Sequence, residues 1–237
     1  MSYVKRIVCL ANSRKHAGRC IAGKEVLEQG FGGWVRPVSA RTTTELAREE
    51  RRYRDGKDPK ILDVMDVWLR EAAPHGYQTE NHLVDAERGY RRAGAVAWER
   101  ADELLDHPAT LWRNGSSSYH GLNDRVSAAQ AVEWTWSLAL IRPEALKMRV
   151  HSEGGKARVR AWFRYGGAAY VFSVTDPFAE WAWLAKPDGE YAVEGAMLCV
   201  SLGEPHTDGY CYKLVATVLT GAGDSKNHAD QAERFSL

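Results

Sequence analysis

Two stretches of this 237-residue chain hold residue types at spacings that invite a chemical reading. The first is HAGRCIAGKE, His16 to Glu25, in which Gly18 precedes Gly23 and Lys24 at the interval of a phosphate-binding loop. Such a loop ends in Lys-Ser or Lys-Thr, because a hydroxyl must reach the magnesium ion. Here Glu25 occupies that position, and the stretch EVLEQ leaves too little chain before GFGGWV for the helix whose N-terminus would face the phosphates. The reading is therefore a basic, glycine-spaced loop between two strands that receives an anion without hydrolysing it. Arg14, Lys15, Arg19 and Lys24 are its candidate ligands, with Arg36 shortly after, and the glycines let a ligand approach the backbone.

The second stretch, GYQTENHLVDAER (76–88), gathers Gln78, Glu80, Asn81, His82 and Asp85. Glu80, His82 and Asp85 are candidates for an acid/base group, and Gln78, Glu80, Asn81 and His82 for ligand contacts. The chain has no H-x-x-H, H-E-x-x-H or D-x-D spacing and no G-x-S-x-G nucleophile turn, and its other histidines are dispersed. No metal site, no cofactor and no established catalytic residue is expected; an enzyme acting on nucleic acid or a nucleotide through 77–85 is the rival to a binding module.

These side chains need elements to hold them. Short runs rich in β-branched and aromatic residues recur between Gly, Pro, Asn and Asp, at 3–10, 32–39, 61–69, 133–141, 147–152, 157–166, 168–176, 196–203 and 210–219. The pair 157–166 and 168–176 flanks Gly166-Gly167 and alternates, so it predicts a β-hairpin. One face of that hairpin carries Arg158, Arg160, Trp162 and Arg164, a second basic surface on which an aromatic ring and guanidinium groups would meet bases and phosphates together. Helices are predicted from a capping box at Thr42–Glu45 to about Tyr53, over 95–105 and over 123–133. Trp134 with Trp136, and Trp181 with Trp183, share strand faces if their segments are extended, and core filling is the favoured role for them.

The fold class predicted is mainly β with minor α. Two units are expected, 1–133 with helical insertions and 134–237, each of about five strands, the element count of an OB-type barrel, and the tail 221–230 is expected to fray. The four cysteines show no C-x-x-C pair and read as small buried hydrophobes of a reducing, cytoplasmic setting, with no signal peptide and no membrane span. Residues 1–60 hold 14 Lys/Arg against 7 Asp/Glu, a balance of +7, so the rest of the chain carries 18 against 24, or −6. An anionic partner is accordingly sought at the N-terminal half.

The phrases KRIVCLANSRK (5–15), GRCIAGKE (18–25), GWVRPVS (33–39), YQTENHLVD (77–85) and YKLVA (212–216), in this order, resemble the dual OB-containing domain proteins of bacteria. That resemblance implies two successive OB-like barrels that recognise nucleic acid or a nucleotide, in a setting of mobile elements or defence. The basic first half points to single-stranded nucleic acid or a nucleotide as the partner, and the mixed surface charge permits a protein partner in a multi-component system. The resemblance supplies no catalytic residues, and the positions matching its phrases stand as binding candidates.

Overall fold

The computed structural model describes residues 2–221. The expected tail beyond 221, and His228 with it, lies outside the described residues. Half of the chain is strand and a tenth is helix. The chain divides into two compact units, residues 2–105 with Thr220 and Gly221, and residues 106–219.

The first unit is a closed five-stranded barrel. Its strands are β1 (Tyr3–Lys15), β2 (Gly18–Val26), β3 (Phe31–Val38), β4 (Asp63–Ala72) and β5 (Asn81–Val84), in the order β1-β2-β3-β5-β4, with β4 pairing back onto β1. A sixth strand, β6 (Arg91–Ala95), adds to the outer edge of β4. The long β1 makes closure possible: Tyr3 to Val8 pair with β4, while Ile7 to Lys15 pair with β2. Ile7, Cys9, Ile21, Val35, Met65 and Val67 point inward at alternate positions and fill the interior, as the two-residue period of a strand dictates.

The stretch expected as a basic loop is strand. β2 begins at Gly18, and the connection from β1 is the two-residue turn His16-Ala17. Its glycines serve the chain's own packing, since a Cβ on Gly23 would stand 1.9 Å from the carbonyl oxygen of Val8, and one on Gly18 would stand 2.5 Å from that of Leu46. Gly23 faces the irregularity between Cys9 and Ala11 in β1, where only a bare backbone fits.

The second unit repeats this connectivity. It comprises β7 (Arg125–Ser127), β8 (Leu138–Ile141), β9 (Ala145–Glu153), β10 (Lys156–Tyr165), β11 (Ala168–Val174), β12 (Gly189–Ala192), β13 (Met197–Pro205) and β14 (Tyr210–Leu219). The order β9-β10-β11-β14-β13 matches that of the first barrel strand for strand, and in both units the third and fifth strands pair in parallel. The first strand is broken at Arg142-Pro143-Glu144. Its leading half, β8, pairs with β13 as the start of β1 pairs with β4, and its trailing half, β9, pairs with β10. Proline has no N–H to give to a ladder, which accounts for the break at Pro143. The predicted hairpin is present, with Tyr165 opposite Ala168 and both Gly166 and Gly167 at positive φ (55° and 75°).

Several local expectations are corrected. The chain divides at 105/106 rather than at 133/134, because β7 pairs with β14 and carries residues 106–133 into the second unit. The first unit holds a single helical turn, α1 (Arg48–Arg51), and a 3₁₀ turn at Trp98–Leu104 in place of the helix at 95–105. α1 is not opened by Thr42–Glu45; instead the carboxylate of Glu50 accepts from the N–H of Ala47 at 2.8 Å. The helix predicted over 123–133 is strand β7 followed by the short α2 (Ala128–Ala131), where the Ser127 hydroxyl accepts from the Gln130 N–H at 3.3 Å. The longest helix, α3 (Pro177–Leu184), lies in the second unit. Asp176 caps it by accepting from Phe178 and Ala179 at 3.0 and 3.2 Å, with Pro177 leading the first turn. Trp181 and Trp183 are therefore not partners on one strand face. Trp134 and Trp136 precede β8 and pack with the fully buried Trp112, Trp136 stacking on it at 4.6 Å. The four cysteines are free; Cys9, Cys199 and Cys211 are buried and Cys20 is half-buried.

Candidate functional site

The residues proposed from sequence in the first unit fall into three separate groups. Arg14 and Arg19 are direct partners across the β1–β2 hairpin, and Lys15 beside them donates to the Thr44 hydroxyl at 2.6 Å. Lys24 lies five residues further along β2, about 16 Å at the rise of a strand. It is buried, opposite Trp34 on β3, with its ammonium 5.8 Å from the ring centroid.

The second group is a closed polar network on β3 and β5. Arg36 and Glu80 form an ion pair at 2.9 Å with both side chains 6% exposed, and the Arg36 N–H donates to the Glu80 carbonyl. Asn81, the strand partner of Arg36, accepts from its guanidinium at 3.4 Å and donates to Gln78 at 3.2 Å. Two ions buried this deeply hold one another, and breaking the pair would strand a charge. This network ties the segment after β4 to the barrel wall.

The third group is the acid/base trio, which goes to different partners. Glu80 is held by Arg36. His82 Nδ1 and the Tyr3 hydroxyl are hydrogen-bonded at 2.6 Å, and burial, then the nearby Lys5 charge, pull the His82 pKa down. Asp85 accepts from the Ser2 hydroxyl at 2.5 Å and faces Arg70 and Arg88 at 3.7 and 3.8 Å. The three side chains thus have different partners, on or beside β5.

Several cations of the first unit have acidic partners. Arg6 and Arg91 converge on the buried Asp66 from the strands either side of it, which holds that carboxylate below its usual range. Lys5 pairs with Glu25 at 2.6 Å, Arg41 with Glu50, and Arg51 with Asp58 at 3.3 Å.

The hairpin face in the second unit is different in kind. Val159, Ala161 and Phe163 are buried, so Arg158, Arg160, Trp162 and Arg164 point outward from β10. Neighbouring outward positions on β9 add Lys147 opposite Trp162, Arg149 opposite Arg160 and His151 opposite Arg158. Two acids steady this row. Glu153 takes Arg160 at 2.6 and 3.0 Å through both oxygens, and Glu190 on β12 takes Arg149 at 2.7 Å. Arg158 is exposed and has no ion-pair partner among the described residues, and Arg164 has Glu144 at 3.9 Å. The Lys147 ammonium sits 5.7 Å from the half-buried Trp162 ring.

These strands floor a cleft of about 560 Å³. Arg149, His151, Arg160 and Val171 form its base, His120 one wall, and Asp188 to Glu190 the other. The His120 wall is pinned to β11 by the bridge between Leu122 and Val171, and to Asp124, which accepts from the N–H and the hydroxyl of Ser118. Beside His120, at 4.7 Å between ring centroids, Tyr119 is 95% exposed. Sequence reasoning found the β10 face but missed Lys147, Arg149, His151, Glu153, His120 and Tyr119. The spacing His151-x-Glu153, at the end of the strand predicted over 147–152, was the available signal for two of them; the 114–124 segment offered none, because its placement depends on pairing with a strand about fifty residues later.

The family model for the dual OB-containing domain matches residues 5–218 of the chain. The chain belongs to that family, and its two barrels account for the name. None of the curated proteins and none of the solved structures compared with it matches.

Proposed function

From a dual OB-containing domain protein whose second unit turns a row of arginines outward, we propose a module that binds single-stranded nucleic acid across the second barrel, along the outer surface of β9, β10 and β11. The single observation that carries this reading is the row Arg158, Arg160, Trp162 and Arg164, standing beside a solvent-open cleft. In OB-type barrels the second and third strands and the loops at their ends grip oligonucleotides, and β10 and β11 are those strands here. Arg158 and Arg164 supply phosphate contacts, Trp162 and the exposed Tyr119 supply stacking surfaces, and Arg149 and Arg160 are held ready by their acids. The first barrel's Lys24 and Arg36 are buried and act as structural groups in this reading.

The test is alanine substitution read by fluorescence anisotropy on labelled single strands. Trp162→Ala is expected to weaken binding about 5- to 150-fold, the range for loss of one stacked base. Mononucleotides tested alongside separate a strand reader from a nucleotide pocket. Binding unchanged in Trp162→Ala and in Arg158→Ala would remove this face from the account.

A further inference from the structure

We propose that the cleft of the second unit holds a divalent transition-metal ion of the zinc class, ligated by His120, His151 and Glu153, with its remaining position open to the cleft. The inference rests on these side chains and not on the nucleic-acid reading. Their ligand atoms all lie within 4.8 Å of one another. Nε2 of His151 is 2.5 Å and Nδ1 of His120 is 4.0 Å from the same Glu153 oxygen. Donors bound at about 2.1 Å around a tetrahedral ion stand about 3.3 Å apart. The short separation must open and the long ones must close by roughly an ångström, which exposed or half-buried side chains can manage by rotation.

Three features single this cluster out. His151 and Glu153 are two residues apart on β9, so the strand itself sets both on one face. His120 arrives from a segment anchored on both sides, by Leu122 on β11 and by the Ser118–Asp124 contacts. Arg160 grips both oxygens of Glu153, which fixes the carboxylate and holds its pKa down at about 2. Hydrogen-bonded carboxylates of this sort are what orient metal ligands from behind. The Arg160 charge also offsets that of Glu153, so the ion is held modestly rather than buried for life.

The donor set selects the class of ion. Two imidazoles favour zinc and its neighbours over magnesium or calcium, which prefer all-oxygen shells. Two histidines and one carboxylate with an accessible further position is the pattern of zinc sites that exchange a ligand.

The experiment is a zinc titration of the full, tag-free chain against a chromophoric chelator, repeated with cobalt to read its absorption bands. One ion per chain is expected, with binding at least about tenfold weaker in His120→Ala and in Glu153→Gln. His107→Ala, an exposed histidine elsewhere, should leave it unchanged. The His120 side chain is 41% exposed on a loop, so that variant keeps its fold and the test keeps its force. Absence of stoichiometric binding, or equal binding in wild type, His120→Ala and His151→Ala, would overturn the proposal and leave the cluster an ion-paired group.

Discussion

Single residues in this protein are governed by what surrounds them more than by what their types promise. Gly23 illustrates it: a glycine beside a lysine suggests a phosphate cradle, yet its missing side chain makes room for the Val8 carbonyl. Gly23→Ala is therefore expected to destabilise the first barrel by more than the roughly 1 kcal/mol scale of strand preferences, measured by chemical denaturation, while Gly33→Ala, with open space around it, should cost far less. A loss as small at Gly23 as at Gly33 would contradict the close approach. The Arg36–Glu80 pair offers the second expectation at this scale. Glu80→Gln leaves a buried guanidinium short of its counter-charge, at a cost of about 3–5 kcal/mol. Replacing both partners, as Arg36→Met with Glu80→Leu, should recover much of that loss, and a double variant as unstable as the single one would show that the pair does not act as a unit. The sequence singles out these polar residues as ligand contacts, while type and spacing do not reveal that Arg36 and Glu80 are buried.

At the scale of elements, legibility followed chemistry. β14 was read to its ends because YCYKLVATVL is a dense β-branched and aromatic run, and the β10–β11 hairpin because Gly-Gly and strict alternation determine a turn and two faces. β2 was missed because GRCIAGKEV has the composition of a loop, its glycines and small residues being demanded by contacts with β1 and Leu46. The short helices were misplaced for a related reason: one-turn helices are held by tertiary contacts and carry little periodicity. α3 had a usable local signal in Asp176-Pro177, an acceptor at the cap followed by proline in the first turn. Asp176→Ala is expected to cost about 1–2 kcal/mol, with Asp176→Asn retaining most of the stability; thermal denaturation of the two variants distinguishes capping from a general charge effect, for which both would lose equally.

For the whole molecule, the informative feature is that one connectivity occurs twice and is used differently each time. The first barrel closes through an unbroken β1 and spends its cations on internal partners such as Asp66 and Glu80. The second breaks its first strand at Pro143 and keeps Arg158, Trp162 and Arg164 facing solvent. Charge summed over sequence points to the N-terminal half, while an outward row of arginines beside a cleft stands on the second unit. The central claim is that this second face binds nucleic acid through its phosphates, and the most direct measurement is the salt dependence of affinity for a labelled single strand. Wild type is expected to bind more tightly than about 10 μM at low salt, with log affinity falling linearly against log salt. The slope should shrink by about one for each phosphate-contacting arginine removed, hence by about two in Arg158→Ala/Arg164→Ala. No salt-sensitive binding by the wild type, or a slope that the double variant leaves unchanged, would contradict it.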